Sequence, residues 1–256
     1  MSRGLRVADL VRNEFYLKGP IPYEILVEVC FAKDAFVKQE KIHGAQGRIL
    51  FSKNSSASII TINSEIKFES KKKFVLAHEL GHRLLHYRKM NFLCNDKDVS
   101  SWSSNNKFEF EANEFAAELL MPQRLILEIT DTKIFSKQEV LKISKNLGSS
   151  ITSSSIQYSK YGHVPVYVIA SSNGSIDWFS KPSDFYLGHF EKGQSLPRGS
   201  FANKFFDDGK KENDKSICLA KDWFPDAKQD QYLYEECFYF ENYNSVITFL
   251  WICNEY

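Results

Sequence analysis

Excess charge of either sign is missing from this chain of 256 residues: 33 Lys and Arg face 32 Asp and Glu, leaving a formal charge of +1. That balance excludes a nucleic-acid or anionic-membrane partner held by global electrostatics, although a local basic patch stays possible. Cysteine is sparse and scattered. Cys30, Cys94, Cys218, Cys237 and Cys253 are odd in number and never at C-x-x-C spacing, so a zinc knuckle or redox pair is excluded and a reducing compartment fits best. Long apolar runs are missing as well. The longest, Val246 to Cys253, contains a Thr and falls far short of the roughly 20 residues a spanning helix needs. The opening MSRGLRVADLVRNEF lacks the apolar stretch of a signal peptide, and neither repeats nor low-complexity tracts occur. The expectation is a cytoplasmic protein without a membrane partner.

What is present is an ordinary folded composition, 43% hydrophobic and 14% aromatic, in a chain long enough to bury a sizeable core. Leu5 to Phe15 has apolar residues at helical spacing, and Pro20 to Cys30 offers a second short helix entered through Pro22. Phe36 to Lys38, Arg48 to Phe51 and Ala57 to Asn63 then read as a small antiparallel sheet. A long helix is predicted from an N-cap at Ser70 to about Arg88, because Phe74, Val75, Ala77, Leu80, Gly81, Leu84 and Leu85 supply a broad buried surface. A polar loop from Asn91 to Asn106 leads to a second helix, about Lys107 to Met121, which Pro122 helps to end. Two short helical patterns, Ser136 to Leu147 and Thr152 to Tyr161, join through Gly148 with helix-turn-helix-like spacing. No Lys or Arg cluster decorates the second, so packing is the expected job and direct nucleic-acid binding is not.

From Val164 the pattern is mostly β: Val164 to Ala170, an Asn173-Gly174 turn, Ile176 to Phe179, Ile217 to Phe224, Gln231 to Phe240 and Val246 to Cys253, with Asp207 to Ser216 as a charged loop. The chain is therefore expected to be α+β in three parts: 1–130 carrying the chemistry, a helical linker 131–163, and a β-rich C-terminal domain 164–256 that senses a signal or recruits a substrate.

The chemistry lies in His78-Glu79-Leu80-Gly81-His82. Residues four apart share a helix face about 6 Å apart along the axis, so both imidazoles can converge on one ion. A chain with six His carries H-E-x-x-H by accident only on the order of one time in a hundred. Zinc held by two imidazoles needs a further protein ligand and an open position for water, and Glu79 beside it can act as general base. Mn(II) also suits such a site. His86 continues the stripe, but its rise of about 12 Å from His78 excludes it from the same ion; it is assigned to packing or to supporting the ligands. On the next helix Glu109, Ala112, Asn113, Ala116, Ala117 and Leu120 share a face, so Glu109 is the preferred third ligand with Glu111 as the alternative. Asn113 is placed to fix a ligating imidazole's tautomer. Glu111, Glu114 and Glu118 are expected in solvent, as are Lys71, Lys72 and Lys73, whose charge opposes the dipole of the helix they open. Tyr87, Arg88, Tyr161 and His163 are candidates to stabilise a transition-state oxyanion.

FVLAHELGHRLLH, Phe74 to His86, and EFEANEFAAELLMP, Glu109 to Pro122, together resemble the signature pair of the ImmA/IrrE family of metallopeptidases. The resemblance covers the N-terminal half in motif detail, and the tail Ser245 to Ile252 is similar to that of longer members. It implies a zincin-like domain with two metal-binding helices and a gluzincin-like site: His78, His82 and Glu109 as zinc ligands, Glu79 as catalytic base. It further implies site-specific cleavage of a helix-turn-helix repressor or antitoxin, releasing mobile-element or stress genes. Related gluzincins often have Asp one turn after the ligand glutamate, where this chain has Asn113. In such a site Ala57 to Asn63, with Ile60 and Ile62, is expected to be the edge strand that pairs with an extended substrate. The competing reading is a regulatory or DNA-binding protein that keeps a metal only for stability.

Overall fold

A computed structural model of the chain describes residues 2–52, 54–87, 92–94, 107–130, 133–212 and 214–253. It divides into two compact units, Met1–Leu125 with Ser144–Ser150, and Ile126–Ile143 with Ile151–Tyr256.

The first unit opens with α1 (Arg3–Glu14), where the Ser2 hydroxyl accepts from the Leu5 N–H, and α2 (Tyr23–Ala32), which follows Pro22. Four strands come next in the sheet: β1 (Ala35–Glu40), β2 (Gly47–Phe51), β3 (Ser58–Asn63) and β4 (Phe92–Cys94). Their order is β1-β3-β2-β4. β3 pairs parallel with β1 and antiparallel with β2, so the sheet is mixed rather than purely antiparallel. One expectation is overturned directly. β3 is an interior strand with both ladders occupied, and Ile60 and Ile62 are sealed on its inner face. Alternation over Ala57 to Asn63 reveals which side chains turn inward but says nothing of how many neighbours the strand has. Among the described residues the outer strands are β1 and β4.

Against the inner face packs α3 (Glu69–Leu85), with Lys73 through His82 all buried. Its N-cap is Phe68, not Ser70, and it ends three residues before the expected Arg88, which lies outside the described residues, as does Asn91 to Asn106 apart from β4. Lys73 is no part of a solvated face. Its side chain is buried and Nζ donates to the Leu147 carbonyl oxygen at 3.1 Å, where a cation complements a helix C-terminus. α4 (Lys107–Leu120) lies along α3. A Cβ on Gly81 would come within 3.2 Å of the Ala112 Cα, so the two backbones meet where both side chains are small. Buried Arg12 of α1 donates to the carbonyl oxygens of Leu119 at 2.5 Å and Gly19 at 2.7 Å, which anchors the end of α4 before Pro122. Then come α5 (Gln123–Ile129) and α6 (Lys137–Leu147), whose last residues belong to the first unit.

The second unit is built on β5 (Tyr167–Ser172), β6 (Ser175–Ser180), β7 (Ser216–Leu219), β8 (Tyr232–Phe240) and β9 (Ser245–Ile252), an antiparallel sheet in the order β6-β5-β9-β8-β7. Asn173 and Gly174 both take positive φ, 49° and 75°, as a two-residue hairpin turn requires. Both faces of the central strands are covered. Tyr167, Leu233 and Leu250 join a core with Phe185, Phe190 and Trp223, while Phe249 and Trp251 pack on Phe135 from the other side. That double burial explains why β9 reads as a nearly unbroken apolar run. α7 (Ile151–Tyr161) is buried from Ser154 to Ser159, leaving Lys160 as its exposed residue, so it packs as core and presents no row of side chains to a groove. Two elements differ from expectation: Ile217 to Phe224 is β7 followed by the short helix α9 (Ala220–Trp223), and α8 (Phe201–Asp208) was not anticipated.

Glu235, 2% exposed on β8, accepts from the Phe201 N–H at the start of α8 at 2.8 Å and from Trp223 Nε1 at 3.4 Å. Burial outweighs these bonds and pushes its carboxyl up to about 7 from an ordinary value near 4.5. Between those values the native state keeps a proton the unfolded chain has released. Stability is therefore expected to fall by about 3 kcal/mol as pH rises from 4.5 through 7. Denaturant unfolding of wild type and Glu235→Gln across pH 4.5–8 checks this, with the downward slope reduced in the variant.

Candidate metal centre

One helix supplies two imidazoles on a single face. His78 and His82 of α3 are both fully buried, and their Nε2 atoms lie 3.0 Å apart. α4 brings the third group. Glu109 Oε2 is 3.1 Å from His78 Nε2, and Glu109 Oε1 is 3.3 Å from His82 Nε2. Among the described residues these three are the group whose ligand atoms could hold a metal ion, all within 4.8 Å of one another. The triangle's dimensions suit zinc: bonds of about 2.05 Å in a tetrahedron separate ligand atoms by about 3.3 Å.

Protons are arranged to match. Asn113 Oδ1 lies 2.9 Å from His78 Nδ1 and can only accept, so that nitrogen carries a proton and Nε2, 3.1 Å from Glu109 Oε2, is the nitrogen turned towards the position an ion would take. His82 Nδ1 is engaged by His86 Nδ1 at 3.0 Å. Burial opposes a charged His78, but the hydrogen bond to Glu109 and the charges of Glu79 and Glu109 outweigh it and raise its pKa. Burial dominates at His82 and lowers it to about 4. Glu109 is penalised by burial, yet its bonds to both imidazoles hold it well below the usual carboxylate range. The pocket thus favours a carboxylate facing positive charge, and a divalent cation taking the place of the protons between Glu109 and the two Nε2 atoms would meet the requirement.

Glu79 is fully buried on the same helix. β2 runs past it closely: a Cβ on Gly47 would sit 2.6 Å from Glu79 Oε1 and 2.6 Å from Val75 Cγ1. Glycine at the start of this strand is thus what lets the sheet approach the glutamate, a signal that a glycine inside a strand pattern often carries. Gly47→Ala is expected to lower stability by about 1–3 kcal/mol through overpacking and to displace Glu79. Thermal unfolding together with metal content checks it, the metal being retained because no ligand moves with β2.

Several assignments change. Glu111 does not face solvent: its Oε2 lies 3.0 Å from His86 Nε2, and its side chain is 12% exposed. Helical spacing places it away from Glu109, but His86, whose N–H still donates to the His82 carbonyl oxygen at 2.9 Å, continues the histidine stripe of α3 and meets Glu111 from the facing helix. Glu118 is buried rather than exposed. The Tyr87 hydroxyl donates to the Ser55 carbonyl oxygen at 3.1 Å, and His163 engages that of Leu127 at 3.4 Å.

Comparison with known proteins places this arrangement. Residues 32–152 match the peptidase M78 family model, described as the IrrE N-terminal-like domain. The chain is 29% identical over 115 residues to metallopeptidase ImmA of Bacillus subtilis (strain 168), covering 44% of this chain and 64% of that protein. It is 36% identical over 74 residues to an uncharacterized immunity region protein 2 of Bacillus phage phi105, covering 29% and 44%. The chain thus spans less than two thirds of either relative. A solved Mycobacterium tuberculosis transcriptional regulator shares the fold, with TM-score 0.60 at 11% identity over 97% of this chain and 75% of that one. Residues 32–152, which include both histidines, both glutamates and Asn113, are thus similar to the IrrE N-terminal-like domain of the peptidase M78 family and, in part, to metallopeptidase ImmA.

Proposed function

We propose that the chain is a zinc-dependent endopeptidase of gluzincin type, with Mn(II) able to replace zinc, and that it cuts one site in a helix-turn-helix repressor or antitoxin. The observation that carries the reading is the convergence of His78 Nε2, His82 Nε2 and the Glu109 carboxylate beside a buried Glu79. A metal held by those three would polarise the scissile carbonyl and make an adjacent water acidic enough to lose its proton near neutral pH. Glu79 then accepts that proton at its carboxylate and delivers it to the leaving amine. Asn113 holds the His78 ring in the orientation that keeps Nε2 turned inward. A metal kept only for stability has no use for a buried carboxylate beside the ligands.

The substrate pairs with a strand that has an open side. That role passes from β3 to β4, whose Cys94 is opposite Gly47, the glycine packed on Glu79. An extended segment adding to β4 would run two strand spacings, about 9.6 Å, from the glycine packed on the catalytic glutamate. The C-terminal unit, with its own aromatic core, is in this reading the sensor or recruiting module. Cys30, Cys218, Cys237 and Cys253 are free thiols, in keeping with action in the cytoplasm; among the described residues no helix is long and apolar enough to cross a membrane. Cleavage of the repressor in this way would derepress mobile-element or stress genes. The test is incubation of the purified, zinc-loaded protein with the helix-turn-helix repressor encoded beside its gene. One discrete cut by wild type and none by Glu79→Gln supports the proposal; an intact repressor in both counts against that substrate.

A further inference from the structure

We infer that His86 and Glu111 are positioning residues for the metal, acting through His82: they hold the His82 proton on Nδ1 and so leave Nε2 bare for the ion. The inference rests on the metallopeptidase reading and extends it to residues that touch neither metal nor substrate. Three contacts form an unbroken chain. His82 Nδ1 is 3.0 Å from His86 Nδ1, His86 Nε2 is 3.0 Å from Glu111 Oε2, and the other Glu111 oxygen is 3.9 Å from Lys107 Nζ. His86 is fully buried, with its ring against Phe108 at 4.7 Å, so neither nitrogen turns freely to water.

The proton arrangement follows from what each atom can do. Between the two Nδ1 atoms one donates and one accepts. Suppose His86 donates. His86 Nε2 is then bare and faces a carboxylate oxygen at 3.0 Å, two acceptors in contact, while neutral His82 carries its proton on Nε2, 3.0 Å from His78 Nε2. That proton blocks the position an ion needs. Reverse the direction and the contacts of His86 are satisfied: His82 Nδ1–H donates to His86, His86 Nε2–H donates to Glu111, and the bare His82 Nε2 is left facing His78 Nε2 and the Glu109 carboxylate, a set of acceptors that a bound cation would satisfy. Glu111 thus sets the polarity of the whole chain from two residues away, as Asn113 does for His78 in a single step. Such outer partners raise ligand basicity and fix ring orientation, and their loss typically costs about 10- to 100-fold in metal affinity.

The experiment measures Zn(II) affinity by chelator competition on the full chain, with the visible spectrum of the Co(II)-substituted protein as a second readout. Glu111→Leu and His86→Leu are each expected to bind zinc at least about tenfold more weakly. The double variant should be no weaker than His86→Leu alone, because Glu111 acts only through that ring. Glu111→Gln, which still accepts from Nε2–H, should restore most of the affinity. All variants that bind Co(II) should keep the intensity of a tetrahedral site, since no ligand has changed. Unaltered affinity in Glu111→Leu, or strictly additive losses in the double variant, overturns the inference. If His86→Leu fails to fold, the Glu111→Leu and Glu111→Gln pair decides alone. Wild type that takes up no stoichiometric zinc sinks the metallopeptidase reading and this inference together; zinc-binding wild type with unaffected variants sinks the inference only.

Discussion

Glu79→Gln is expected to slow peptide-bond cleavage by about 10²–10⁴-fold, the usual worth of a positioned general base, while leaving one metal ion per chain. The substitution keeps the shape of a side chain that is fully buried and packed against Gly47. It removes only the ability to accept a proton from water and hand it to the leaving amine. His78, His82 and Glu109 lie on other positions of the same two helices and keep their separations. Initial cleavage rates with metal content measured on the same sample check the split. Retained cleavage would remove Glu79 from the chemistry, and loss of metal would show that the variant reports on the site's integrity instead.

Glu109→Ala is expected to release the metal on dialysis and to abolish cleavage with it. Two imidazoles are left, one fewer than the three protein ligands a catalytic zinc site holds. The comparison with Glu111→Leu is informative because both residues reach the histidine cluster from one helix. Glu109 meets His78 and His82 at Nε2, the nitrogens nearest each other, whereas Glu111 meets His86 on the far side. Loss of Glu109 should therefore empty the site, and loss of Glu111 should only weaken it. Metal content by mass spectrometry after exhaustive dialysis discriminates the two. Stoichiometric metal in Glu109→Ala would require a different third ligand.

A cluster of this kind has consequences for how the fold is stabilised. α3 is buried around its whole circumference between the sheet and α4, an environment that excludes water from the imidazoles and strengthens every electrostatic contact among them. Burial alone would drive the histidines neutral and the carboxylate protonated; close pairing outweighs it, lowering the Glu109 pKa and raising that of His78. The site's polarity is therefore produced by close pairing inside a poorly solvated layer, and small residues at Gly47, Gly81 and Ala112 permit that closeness.

The sequence by itself determined what is local in this protein. Spacing of four along a helix places His78 and His82 together, a shared face gathers Glu109 with Asn113, and Asn173-Gly174 between alternating strands makes a hairpin. Those follow from backbone periodicity and turn sterics, which act over a few residues. Tertiary structure decided everything that depends on neighbours distant in the chain. Which strand is interior depends on pairing partners, and so β3, flanked by β1 and β2, is no edge strand. Lys73 and Glu118 lie buried despite their charge because packed elements cover them and supply hydrogen bonds, among them the Leu147 carbonyl for Lys73. The helical angle of Glu111 points it away from Glu109 and predicts solvent, yet it meets His86, because the facing helix carries its histidine stripe one turn past His82 and covers that flank of α4.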